Sequence, residues 1–278
     1  MAIHTRSLFL APIALLVSCS DPTSDPPPPS PPAVQPVPIT PMTPVAAAIR
    51  LGVTPLGIDE HGVPRLLQAQ SPAPIQAPNV ATAARMHVQR LAPAWGVRAA
   101  AMPALESIGE APVAAGTIVR LRQVIDGMPV DVNSGGEVRV MLGAGGSLIA
   151  ASGRLVGADT PRPSNVVFHD DEAGAIAKAV SAAYDKAVSP SSLAMKATTT
   201  DGSHLLAGQS GQINVSLARA TKTWFPAGET LIPAWSVDAY TSDVTSTSGD
   251  AFRTVIAADD GRVLQRINLT ADAAFTYR

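Results

Sequence analysis

The side chains best able to hold a metal ion or attack a carbonyl are few and widely separated. Histidines stand at positions 4, 61, 87, 169 and 204, and the single cysteine is Cys19. A zinc hydrolase of the His-Glu-x-x-His kind needs two imidazoles one helical turn apart on the metal, with the glutamate as base. None of the histidines has such a partner. Two local candidates remain: His169 with Glu172, and the run Asp59-Glu60-His61-Gly62. Neither is joined by a second ligand cluster, so the first reads as a helix start beside a solvated imidazole and the second as a solvated turn. A serine nucleophile calls for Gly-x-Ser-x-Gly or Ser-x-x-Lys. The nearest look-alike, Gly208-Gln209-Ser210-Gly211, has the wrong spacing. The cluster Gly143-Ala144-Gly145-Gly146 links two strand-like runs instead of a strand and a helix, which makes it a hairpin loop and not a phosphate cradle. The chain is therefore expected to be non-catalytic, with no metal site and no cofactor of its own.

Composition narrows the field further. With 20 Lys+Arg against 22 Asp+Glu, a net charge of -2 and only 15% charged residues, the sequence has no electrostatic footprint for a phosphate backbone, so no nucleic-acid partner is expected. Hydrophobic residues make up 46% but aromatics only 4%, so much of the apolar content is alanine and the cores should be small. One cysteine excludes a disulfide framework and a thiolate metal site.

The first residues read as an address. Leu8 to Val17 is an apolar run too short to cross about 30 Å of hydrocarbon as a helix, and it follows a weakly basic start. Leu16-Val17-Ser18-Cys19 resembles the lipobox of bacterial lipoproteins, which implies cleavage between Ser18 and Cys19 and a diacylglycerol on the Cys19 thiol. Residues 1–18 are then a signal peptide and the product is exported and held to a membrane of the cell envelope. Ser20 after the cysteine points to the outer membrane of a Gram-negative cell. Residues 19–45 form a tether: from Asp21 to Pro44 nearly half the residues are proline, which fixes φ, removes backbone donors and favours an extended chain.

The remaining residues carry alternating helix and strand periodicity. Val80 to Trp95 has helical spacing of apolar residues, although Arg85 and Gln89 blur its faces. Gly116 to Val130 alternates with period two, which puts Arg120 and Gln123 on opposite strand faces, and Asp126-Gly127 is a turn dipeptide within it. Strands follow at 137–142 and 147–156. A second helix opens at Asp170-Asp171-Glu172, its acids at the positive end of the dipole, and runs to about Val188. Strands are then expected at 212–218, 231–239, 252–257 and 263–269. The fold class is α+β: two small modules, 46–165 and 166–278, each a helix packed on an antiparallel sheet of about three to five strands, with a junction near Pro161 to Asn165.

One stretch has a family likeness. Val119-Arg120-Leu121-Arg122-Gln123-Val124-Ile125-Asp126-Gly127-Met128-Pro129-Val130, followed by a strand, a glycine turn and Ser152-Gly153, resembles the propeptide motif of fungalysin/thermolysin-type metallopeptidases. That motif runs hydrophobic-Arg-x-x-Gln-x-x-x-Gly-hydrophobic-Pro-Val, and Arg120, Gln123, Gly127, Pro129 and Val130 fall in register with it. The second turn departs from it, being Gly-Ala-Gly-Gly where an acid before glycine is usual. Pro233 to Tyr240 with Phe252 to Leu269 resembles the PepSY-like part of the same propeptides. The resemblance implies a non-catalytic pro-region, chaperone and inhibitor of a lipid-anchored zinc metallopeptidase, whose catalytic domain would be met in cis or in trans. The strands ending at Val130 and at Leu269, with the tail 270–278, are the expected docking edges. The other reading is a stand-alone envelope lipoprotein that binds a different partner through its sheets.

Overall fold

The computed structural model describes residues 42–245 and 249–270. Ser18, Cys19, the tether up to Pro41 and the tail beyond Thr270 lie outside the described residues. Two antiparallel sheets, each covered on one face by helix, belong to one compact unit. The α+β class expected from the sequence is what the structure has.

The first sheet takes seven strands: β1 (Val53–Ile58), β2 (Pro64–Ala69), β3 (Ala104–Val113), β4 (Gly116–Ile125), β5 (Met128–Pro129), β6 (Glu137–Leu142) and β7 (Leu148–Gly153). Their order is β1-β2-β7-β6-β4-β3, with the short β5 paired to β4. Helix α1 (Pro44–Arg50) and helix α2 (Val80–Leu91) lie on one face. Asn79 caps α2 by accepting the Thr82 N–H at 2.8 Å, and the helix tightens through Ala92–Trp95 to a stop at Gly96, whose φ of 74° suits glycine. The core beneath is built from Val119 and Leu121 of β4, Val138, Val140 and Leu142 of β6, and Ala84, Val88, Leu91 and Trp95.

The second sheet has six strands in the order β13-β12-β11-β10-β9-β8: β8 (Leu193–Thr198), β9 (His204–Ser210), β10 (Ile213–Ala227), β11 (Thr230–Asp243), β12 (Asp250–Ala257) and β13 (Val263–Asn268). Helix α3 (Glu172–Tyr184) covers its inner face, capped by Asp171 accepting the Gly174 N–H at 2.8 Å. It stops at Asp185, φ 52°, short of the Val188 expected from its alanine-rich periodicity, because left-handed backbone there ends the ladder. An irregular segment, residues 154–171, leads from β7 to α3.

Both sheets are larger than the three to five strands expected. The 53–69 segment forms a full hairpin around the Asp59 turn, where the Asp59 carboxylate accepts the His61 and Val63 N–H groups. Strand β3 also joins, although Glu106, Glu110 and Pro112 hide its alternation. The 143–146 glycines do form the β6–β7 hairpin loop, and Ser210-Gly211 lies at the β9–β10 turn. Glu172 does not pair with His169; its carboxylate meets His204 Nδ1 at 2.8 Å, because the helix start faces β9.

Candidate functional site

Of the five residues picked out by the propeptide resemblance, Gln123, Gly127, Pro129 and Val130 lie together where the first sheet meets the second, and Arg120 stands on the other face of β4. Strand β4 sends Val119, Leu121, Gln123 and Ile125 inward and Arg120 and Arg122 outward, as its period-two pattern requires. Gln123 is 0% exposed. Its amide nitrogen donates to the carbonyls of Gly135 at 2.9 Å and Arg154 at 2.7 Å, and its side-chain oxygen accepts the Val156 N–H at 2.7 Å. One neutral side chain thus satisfies the backbone of the loop after β5 and of the segment leaving β7. A buried amide can stay in such a place only when its groups are paired.

Arg120 works on the opposite face. Its Nε and one terminal nitrogen donate to the two oxygens of Glu137 at 3.0 and 2.7 Å, and Arg139 Nε adds a third bond at 2.6 Å. The Arg120 guanidinium holds the Glu137 carboxyl below its ordinary range, and Glu137 in turn raises Arg120. The register places Arg120 opposite Arg139 and Arg122 opposite Glu137, so two arginines share one carboxylate across the sheet. With Arg120 half-exposed, this arrangement holds the strands in register more than it stabilises them.

Gly127 follows Asp126 in a two-residue hairpin turn, with φ of 51° at Asp126 and 75° at Gly127. Both positions need left-handed backbone, which is why Asp-Gly serves there. The turn brings the chain back so that the Val130 N–H donates to the Gln123 carbonyl at 2.9 Å. Pro129 has no N–H to offer, but its carbonyl accepts the Thr223 hydroxyl at 2.9 Å. Val130, buried at 1% exposure, forms a parallel bridge to Trp224 of β10, and the next N–H, from Asp131, donates to the Trp224 carbonyl at 2.9 Å. The Trp224 indole N–H then donates to the Ile125 carbonyl at 3.0 Å. Ile125, Val130, Val156, Trp224 and Leu231 form a separate apolar cluster around this crossing.

The loop Val132–Gly136 completes the joint. Asp131, 3% exposed, accepts the Asn133 and Ser134 N–H groups and the Ser134 hydroxyl on one oxygen, and the Ser236 hydroxyl of β11 on the other. Gly136 packs so tightly that a Cβ would stand 2.1 Å from the Val130 carbonyl oxygen. Only glycine fits that approach.

The strand end at Val130 is therefore not a docking edge. Val130 is buried, its N–H is spent on the Gln123 carbonyl and the following N–H, of Asp131, on the Trp224 carbonyl, which corrects the expectation drawn from the sequence. The strand end at Leu269 is different: β13 is an outer strand of its sheet, and Leu269 is half exposed. Sequence reasoning missed Trp224, Asp131 and Glu137. For Trp224 the signal was weak, because the period-two pattern of β10 breaks before reaching it. Among the described residues no group of three or more His, Cys, Asp or Glu converges as metal ligands would, and no helix is long and apolar enough to cross a membrane.

No family model matches the sequence, and no curated protein matches it. Among solved structures the Bacillus megaterium YpeB C-terminal domain is similar at 12% identity, over 76% of this chain and 74% of that one, with a TM-score of 0.29.

Proposed function

We propose that this chain is a non-catalytic pro-region, held to an envelope membrane through Cys19, that assists the folding of a fungalysin-like zinc metallopeptidase and occupies its cleft. The observation that carries this reading is the use made of Arg120, Gln123, Gly127, Pro129 and Val130. Four of the residues of the propeptide resemblance, Gln123, Gly127, Pro129 and Val130, build the strand end, turn and bridge that join the two sheets, and Arg120 holds β4 to β6 behind them, which supports a scaffold role that leaves other surfaces for contact. Such a scaffold presents the outer strand β13 with little ordering cost, which is what an inhibitor that adds an extended strand to a cleft requires. Zinc and the catalytic residues belong to the peptidase in this scheme.

The test uses the lipoprotein solubilised in detergent and a purified fungalysin-like peptidase domain encoded beside it or downstream. The expected result is slowed peptide hydrolysis at stoichiometric ratios, a higher yield of active peptidase on refolding, and no hydrolysis by the lipoprotein alone. A lipoprotein that neither binds nor inhibits that domain defeats the reading. Membrane attachment is tested separately: Cys19→Ser is expected to move the protein from the detergent-extracted membrane to the soluble exported fraction.

A further inference from the structure

Where α3 ends at Tyr184, its carboxyl end and the two outermost strands of the second sheet enclose a recess of about 390 Å³. Ala183 and Tyr184 of α3 form one side, Asp250 and Phe252 of β12 the floor, and Arg266 and Asn268 of β13 the other side. Alternation along each strand puts these pairs on the inner face, and the register sets Asn268 opposite Phe252. The volume falls in the range of small-molecule sites.

Two side chains of opposite charge line this recess, and each is held by a neutral group instead of by the other. The Tyr184 hydroxyl donates its proton to Asp250 Oδ2 at 2.7 Å and accepts from the buried Thr241 hydroxyl at 2.7 Å. Burial raises the Tyr184 pKa, with the Thr241 bond opposing and Asp250 adding to the effect, so the phenol remains a donor at neutral pH. Asp250 Oδ1 takes no bond from a described residue. Arg266 Nη1 donates to the Ala182 carbonyl at 2.7 Å, at the negative end of the α3 dipole, while its Nε and Nη2 meet no described acceptor. Nearby charges pair directly, as Lys186 does with Asp243 at 2.8 Å. Among the described residues Asp250 and Arg266 have no ion-pair partner, and both are exposed to solvent.

We propose that the recess binds a free α-amino acid, with Arg266 and Asn268 taking its carboxylate and Asp250 Oδ1 its ammonium. A ligand that answers both fixed charges must carry both signs a short distance apart, and an ion of one sign answers only half of the site. The Asn268 side-chain oxygen already accepts the Thr270 N–H at 2.8 Å, which leaves its amide nitrogen to donate. The Tyr184 and Phe252 rings meet edge to face with centroids 6.4 Å apart and supply a fixed apolar wall for the ligand's side chain. Because Tyr184 and the Ala182 carbonyl orient the two charged groups beforehand, little ordering is left for the moment of binding. The site depends on neither the peptidase nor the membrane anchor, so this inference does not rest on the pro-region reading.

Calorimetric titration of the full chain in detergent with glycine, L-alanine, L-leucine and L-phenylalanine tests it. Saturable binding of at least one is expected, with a Kd of about 1 mM or below. The N-acetylated and the amidated forms of that amino acid each lack one charge and are expected to bind at least about ten-fold more weakly. The same loss, about ten-fold or more, is expected for the parent amino acid with Arg266→Gln and with Asp250→Asn, and a smaller one, about three-fold, with Tyr184→Phe. The blocked derivatives are tested on the unaltered chain, so they decide the matter even where a variant fails to fold. No saturable binding of any of the four by about 1 mM overturns the proposal. So does equal affinity for the blocked derivatives, which would make the recess a site for an uncharged ligand. So does binding unchanged in both Arg266→Gln and Asp250→Asn, which would place the amino acid elsewhere.

Discussion

The two strand ends that precede Val130 and Leu269 look alike in sequence: each closes a hairpin with an apolar residue after a turn containing Asp and Gly. In the structure they have opposite fates. Val130 is drawn between the sheets, where its neighbours' backbone groups are taken by Gln123 and Trp224. Leu269 finishes an outer strand and stays half in solvent. The difference lies in what precedes each residue. Gln123 sits inward on β4, where its backbone carbonyl takes the Val130 N–H and its side chain ties down the loop after β5 at Gly135, whereas the corresponding part of β12 faces inward with Thr254 and Ile256 and has no buried amide to satisfy. The strand end at Val130 becomes a joint through its backbone bridge to Trp224 and the apolar cluster around it, and the one at Leu269 has neither.

The sharpest way to break this comparison is to place the same charge at both ends. Val130→Lys buries an ammonium without a counter-charge, and we expect a loss of more than about 4 kcal/mol, read as failure to reach a cooperative folded state in urea titration. Next is Gln123→Leu, which keeps the volume but strands two carbonyls and one N–H; a loss of about 3 kcal/mol is expected, with both sheets destabilised together in one transition. Two separated transitions would show that the amide serves the first sheet alone.

A pH series extends the same reasoning to a buried side chain with an incomplete set of partners. His87 of α2 is fully buried, and its Nε2 lies 2.9 Å from the Gly146 carbonyl while Nδ1 has no partner among the described residues. Burial pushes its pKa below 6.5, with Arg90 adding to the effect and the Gly146 bond opposing it. Between that lowered value and 6.5 the unfolded chain binds a proton that the folded chain refuses, so stability falls as pH drops through this window. His87→Gln should flatten that part of the curve in denaturation series, and an unchanged slope would assign it to other groups. The smallest effect belongs to the free end: Leu269→Lys should shift stability by no more than about 0.5 kcal/mol. A large loss there would mean that the fold holds the tail side of β13 with the same strength as the Val130 side.

Much of this was legible in the residues. The period-two pattern of β4, the Asp126-Gly127 turn and the two capped helices are local signals, set by backbone geometry within a few residues, and they placed Arg120 and Gln123 on opposite faces correctly. Strand β10 was readable only to Ala218, because the bulge at Leu217 resets the alternation and, further on, the adjacent Thr223 and Trp224 are both buried at the joint. A residue buried on both sides loses the alternation that identifies a strand. The fate of Val130 could not be read at all, since its partner lies in a different sheet and nothing local encodes which distant strand will accept a bridge.

The joint also bears on the order in which the molecule assembles. Its hydrogen bonds from Thr223 to Pro129 and from Trp224 to Ile125 span 94 and 99 residues, and the β2–β7 pairing of Leu66 with Ser152 spans nearly as many, whereas the hairpins close over short loops. Contacts of such separation are made only after the entropy of a long loop has been overcome, so the hairpins can form before the two sheets meet. Until they meet, the indole of Trp224 and the backbone after Pro129 are open to other chains. For a chain that, on the proposed reading, crosses a membrane unfolded and folds on the far side, that interval is the period of greatest exposure to misassociation, and its length is set by how fast one tryptophan finds its place.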